Sequence, residues 1–241
     1  MRHTLTLSAG RRAAVASQRG VREYNMDAGE VFEASTGVVA AAVVDGIGND
    51  RDGADTMREL ARIATRVGAT KGALTGILTA AAYIADPGTT RCRPNAVAVL
   101  ALSDPAESTI ELGWVGDSHA YTWTGTALER YTAPHTMGAF LRWNGDIDVA
   151  PSHDNWVRLS LTNATATTVA LSEAPADQLL LLVSDGLDSV PVDELEQLVT
   201  RYEDQPRQLA DAIVAAARAD ADGYRDDATA VVLTPVRSIP A

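Results

Sequence analysis

With 241 residues, 46% of them hydrophobic and 22% charged, the chain has the size and balance of a soluble protein with a sizeable core. A net charge of -12 argues against a partner built on a phosphate backbone, so no nucleic acid is expected. The single cysteine, Cys92, excludes an internal disulfide framework or a thiolate metal cage, and the aromatic fraction of 5% leaves Ala, Val and Leu to fill the core.

The stretch from Met1 to Arg12 has no long apolar run, and no apolar stretch is long enough to span a bilayer, so the chain reads as cytoplasmic with no membrane partner. Short strands are predicted at Thr4–Leu7 and Arg12–Ser17, followed by a polar loop at Gln18–Asn25. Gly37–Val44 is small, apolar and β-branched and stops at Asp45-Gly46, the pattern of a buried strand ending in a turn. Met57, Leu60, Ile63, Ala64 and Val67 recur at helical spacing, predicting a helix over Asp52–Val67, and a second helix follows over Leu74–Ala85. Strands are then expected at Ala96–Leu102, Thr109–Val115 and His119–Thr124.

Residues 133–178 are the least regular part. Leu179–Val183 is another apolar run, ending at Ser184-Asp185-Gly186. Helices at Asp193–Tyr202 and Pro206–Ala219 precede a last strand, Ala228–Leu233. No linker interrupts the order, so one domain over 1–241 is expected. Grouped strands and grouped helices indicate an α+β fold rather than an alternating parallel sheet.

Chemistry concentrates at strand ends. Val44-Asp45-Gly46, Val115-Gly116-Asp117 and Ser184-Asp185-Gly186 each deliver an aspartate beside a glycine, and Asp226-Asp227 precedes the last strand. Any one Asp-Gly is more often a turn than a ligand. Their repetition is what hard cations such as Mn²⁺ or Mg²⁺ need, namely oxygen donors at fixed positions. Cys92 lies in Thr90-Arg91-Cys92-Arg93-Pro94, which lacks the glycine-rich loop of a cysteine phosphatase and reads as a bland thiol.

These motifs resemble, in order, those of the metal-dependent protein serine/threonine phosphatases (type 2C, or PPM), bacterial type. The resemblance is carried by Gly20-Val21-Arg22-Glu23-Tyr24-Asn25-Met26-Asp27, Val43-Val44-Asp45-Gly46-Ile47-Gly48, Gly116-Asp117-Ser118-His119, Thr132-Ala133-Pro134-His135, Ser184-Asp185-Gly186-Leu187 and Asp226-Asp227-Ala228-Thr229. It spans about Ser17 to Leu233. It implies a β-sandwich of two mainly antiparallel sheets flanked by pairs of helices, and hydrolysis of phosphoserine or phosphothreonine on a protein substrate by a metal-activated water.

By the same resemblance Asp45 bridges two ions, the Gly46 carbonyl binds one of them, and Asp185 and Asp226 complete the pair. Asp117 with Asp185 lines a third site, Asp27 holds water beside the metals, and Arg22 clamps the phosphate. A monomer is expected. Departures are Ile47 and Asn49 in place of His and Gly, Met26 before Asp27, His119 for Arg, and Asp227 for Asn. Asp227 is expected either to strengthen metal binding or to raise a neighbour's pKa. His135 and His153 are read as structural or exposed. Two other readings stay open, a regulatory binding module that keeps the fold with weak or no activity, and a phosphatase for small phosphorylated molecules or for a single dedicated partner.

Overall fold

The computed structural model describes residues 4–7, 10–85 and 94–235. The reading of Cys92 lies outside them. In chain order the elements are β1 (Leu5–Thr6), β2 (Arg12–Gln18), β3 (Asp27–Glu33), β4 (Val39–Ile47), α1 (Arg51–Lys71), α2 (Ala73–Tyr83), β5 (Asn95–Ser103), β6 (Thr109–Val115), β7 (His119–Trp123), β8 (Leu128–Arg130), α3 (Met137–Trp143), β9 (Ala170–Pro175), β10 (Leu179–Val183), α4 (Val192–Tyr202), α5 (Pro206–Ala216) and β11 (Ala228–Leu233). One sheet runs β1-β2-β11-β10-β7-β8 and the other β3-β4-β5-β6-β9. Every described pairing is antiparallel.

The two sheets face each other across Val43, Val99, Leu112, Leu180, Leu182 and Val231. Alternate residues of the same strands face outward. Ala42, Val44 and Leu100 pack under Met57 and Leu60 of α1 and Ile77 of α2, while Leu181, Val183 and Val232 pack under Val199 of α4 and Ile213 of α5. The expected sandwich flanked by helix pairs is therefore present. It explains why the central strands are apolar at nearly every position: both of their faces are covered. Each Val or Leu so buried contributes roughly 1.5–3 kcal/mol relative to exposure. No described helix is long and apolar enough to cross a membrane.

Three expectations need correction. Asp45-Gly46 is not a turn: β4 continues to Ile47, with Asp45 paired to Asp27 on one side and Val97 on the other. Flanking strands on both sides supply the ladder that keeps these residues extended. Asp27–Glu33 is a full strand at the edge of its sheet, where sequence reading assigned nothing. The irregular stretch 133–178 contains α3 and β9, the latter pairing with β6. The helices themselves begin and end within a few residues of the expected bounds.

Candidate active site

The period-2 alternation of β4 decides where Asp45 goes. Val39, Ala41 and Val43 point between the sheets, so Asp45 follows them to the end of the sandwich where the sheets part. Asp27, its partner across the ladder, points to the same side. From the opposite sheet Ser184, next in phase after Leu180 and Leu182, donates its hydroxyl to Asp27 Oδ2 at 2.6 Å. The strand then breaks, and Asp185 opens a short 3₁₀ turn over Asp185–Ser189.

Arg22, Asp45, Gly46, Asp117, Asp185 and Asp226 all line one cavity of about 710 Å³, together with Ile47, Asp188, Arg218, Asp220 and Tyr224. Asn155 and Val157 of the irregular stretch reach its rim. Thus six of the seven residues expected to form a site converge. Asp27 sits behind them, buried and hydrogen-bonded to Ser184, with its Oδ1 lacking any protein partner.

The segment carrying Asp226 is pressed between two glycines. A Cβ on Gly20 would stand 2.1 Å from the Arg225 carbonyl oxygen, and one on Gly186 would stand 1.9 Å from that of Asp227. Only glycine permits backbone to approach so closely. Asp227, buried at 1% exposure, then ties the Arg22 loop down: its carboxylate accepts the amides of Gly20 and Met26, each at 2.7 Å. Both oxygens are engaged by backbone, so its place is that of a tether. His135 is likewise structural, accepting the Gly116 amide at 3.2 Å, with burial first and Arg158 second holding its pKa below the ordinary value. His153 is bonded to its own turn, near Ser152 and the Val149 carbonyl.

Burying several carboxylates at one point is costly unless something compensates. Desolvation first, then the charges of Asp185 and Asp27, push the Asp45 carboxyl well above its ordinary value. Asp117 is pushed up to about 7 by desolvation and then Asp185. Asp27 is also raised to about 7, chiefly by desolvation, although the Ser184 hydroxyl opposes the shift. Such a cluster must hold protons or cations. Among the described residues no three His, Cys, Asp or Glu side chains are already drawn around one point as a finished cage. The donor chemistry nevertheless fits a hard divalent cation, being carboxylates and one carbonyl, all oxygen, at the mouth of a cavity.

One cation is already present, and it belongs to the chain. Arg22 Nη2 lies 2.7 Å and 3.0 Å from the two Asp226 oxygens, and Nη1 donates to the Gly46 carbonyl at 3.2 Å. Its Nε donates to the Tyr224 hydroxyl at 2.8 Å. Burial opposes the guanidinium charge, but Tyr224 and the Asp226 and Asp45 carboxylates outweigh it and hold its pKa above the ordinary value. His119 is buried with Nε2 at 3.2 Å from Asp188 Oδ1. Tyr224, Asp188 and Arg218 were not singled out from the sequence and carry no periodic or motif signal; Ser184 was quoted within its motif, but no role was assigned to it.

No family model matches the chain, and no curated protein matches it. Solved structures do. The serine/threonine phosphatase of S. agalactiae superposes with a TM-score of 0.80 at 19% identity, over 93% of this chain and 99% of that one. The serine/threonine phosphatase Stp1 from Staphylococcus aureus gives 0.75 at 21% identity, over 100% and 98%. The catalytic domain of the serine/threonine protein phosphatase PstP, in complex with two manganese ions, gives 0.71 at 22% identity, over 93% and 97%. The chain has the fold of these bacterial serine/threonine phosphatases.

Proposed function

We propose that the chain is a metal-dependent phosphatase, one domain over 1–241, that hydrolyses phosphoserine or phosphothreonine on proteins. The observation that carries this reading is the convergence of four aspartates, the Gly46 carbonyl and Arg22 on one open cavity. It is supported by the shared fold with phosphatases, one of them holding two manganese ions. Asp45, Gly46, Asp185 and Asp226 are assigned to two Mn²⁺ or Mg²⁺ ions, and Asp117 with Asp185 to a third. Bound there, the ions would supply an activated water and neutralise charge on the phosphoryl group.

The chain's own residues do the rest. Arg22 offers a planar fork suited to phosphate oxygens. Asp27, with its free oxygen Oδ1 and its other oxygen fixed by Ser184, orients water beside the carboxylates. Ile47 lines the cavity half-exposed and carries no exchangeable proton, so it cannot protonate the departing serine or threonine oxygen. The acidic surface fits a chain that works as a cytoplasmic monomer without nucleic acid or membrane.

The test is hydrolysis of an aryl phosphate and of phosphoserine peptides with Mn²⁺ present. Activity should vanish with chelator, and Asp185→Ala should abolish it while leaving the melting temperature near that of the wild type. A wild type that stays inert across Mn²⁺ and Mg²⁺ concentrations would overturn the reading in favour of a binding module. Hydrolysis of aryl phosphate but of no phosphopeptide would move the substrate to small molecules.

A further inference from the structure

We infer that Tyr224 is a latch that sets the affinity of this site for divalent cations, by holding the Arg22 guanidinium across two of the site's oxygen donors. The inference rests on the metal-dependent reading above. Arg22 occupies the Gly46 carbonyl and the Asp226 carboxylate, both assigned there to an incoming ion. A divalent ion that approaches those oxygens meets the positive charge of the guanidinium, and like charges in a partly desolvated site repel. Occupation is therefore a competition.

What biases the competition is the third donor of the fork. Guanidinium is planar, so fixing Nε on the Tyr224 hydroxyl and Nη2 on Asp226 fixes the plane and aims Nη1 at Gly46. Tyr224 is itself pinned. Asp220 Oδ1 accepts the amides of Asp222 and Tyr224 at 3.0 Å and 2.9 Å, and the Asp220 amide donates to the Tyr224 carbonyl at 2.8 Å. The latch and Asp226 thus belong to one loop, two residues apart. Tyr224 is 41% exposed at the cavity rim, so the latch opens without disturbing the core.

When one conformation must be vacated before a ligand binds, the apparent affinity falls by the fraction of molecules competent to bind. The same movement that admits the ion releases the guanidinium toward the cavity, where a phosphate would sit. Metal loading and readiness of the phosphate clamp become one event. Tyr224→Phe removes the hydroxyl and keeps both charge and ring, so it weakens the closed state alone.

The experiment is calorimetric titration of Mn²⁺ into the full chain without substrate, comparing wild type, Tyr224→Phe and Arg22→Lys. Arg22→Lys keeps the charge but cannot reach the tyrosine and both oxygens together. Tyr224→Phe is expected to bind Mn²⁺ about three- to tenfold more tightly, the range set by loss of one solvent-accessible hydrogen bond of ordinary net strength, and Arg22→Lys is expected to shift the same way. Affinity equal to or weaker than wild type in both variants, with unchanged melting curves, overturns the latch. The metal-dependent reading survives that result as long as wild type binds Mn²⁺ and Asp185→Asn does not. If neither wild type nor Tyr224→Phe binds Mn²⁺, both fall.

Discussion

The Ser184 hydroxyl donates to Asp27 at 2.6 Å and accepts the Thr229 amide at 2.9 Å, joining the two sheets at the floor of the cavity. Ser184 is fully buried, and so is the backbone it serves. Ser184→Ala would leave one buried donor and one buried acceptor without this partner, each costing roughly 1–3 kcal/mol. Destabilisation of that order is expected in urea unfolding, with a lower midpoint and an unchanged slope. An unaltered midpoint would mean that the bridge between the sheets contributes nothing.

Asp227 makes a second test of the loop that carries Arg22. Its two oxygens each accept a backbone amide, from Gly20 and from Met26. In Asp227→Asn the side-chain NH₂ must face one of those donors, so one hydrogen bond becomes a clash of donors. A cost of about 1–3 kcal/mol is expected. Because the loosened loop misplaces Arg22 rather than the carboxylates, KM for a phosphopeptide should rise more than kcat falls. A fall in kcat at constant KM would place Asp227 among the reacting groups instead.

The parts of this molecule that could be read from the sequence are those whose burial is either periodic, as in the amphipathic helices, or nearly complete, as in the inner strands. Leu179–Val183, Thr109–Val115 and Ala228–Leu233 are buried enough that their apolar runs mark the strands to the residue. Asp27–Glu33 escaped because it is an edge strand with Gly29, Glu30 and Glu33 among its residues, most of them only half-buried. The turn reading of Asp45-Gly46 failed because local propensity was overridden by pairing with two neighbouring strands. Of the candidate site, Asp45, Asp117 and Asp185 were legible as carboxylates beside glycines at apolar runs, while Asp27, Arg22 and the role of each residue came only from the family resemblance. Tyr224 was not, since a tyrosine in a polar loop gives no signal and its partner Arg22 lies 202 positions away.

Gly186 is where the motif is least replaceable. A Cβ there would stand 1.9 Å from the Asp227 carbonyl oxygen, a backbone atom in a segment already tied by Asp227 to Gly20 and Met26. No side-chain rotation can relieve that contact. Gly186→Ala is expected to cost about 3 kcal/mol, as overpacking of a rigid site does, and to displace Asp226 along with its neighbour. Thermal melting together with Mn²⁺ titration checks both, and near-wild-type values in each would show that the segment yields more easily than its tethers imply.

The raised carboxyls make the stability of the metal-free chain depend on pH in a definite direction. Asp27 and Asp117 sit near 7 when folded against an ordinary 3.8, and Asp45 is raised as well. Between those values the folded chain keeps protons that the unfolded chain has released. Their contribution to stability is therefore complete below 3.8 and is lost as pH rises through about 7. His135, lowered on folding, acts in the opposite sense, its contribution being lost as pH falls, but it is one group against four, since burial raises Asp226 as well. In chelator, stability should fall by a few kcal/mol, to order of magnitude, between pH 5 and pH 8. Asp117→Asn should flatten the profile by removing one raised group, which separates the cluster from the general effect of net charge. Added Mn²⁺ should restore stability chiefly at the alkaline end, where the oxygens are bare. A metal-free chain whose stability rises steadily from pH 5 to pH 8, unaffected by Asp117→Asn, would mean that these carboxylates are already ionised in the fold and that Arg22 alone neutralises them.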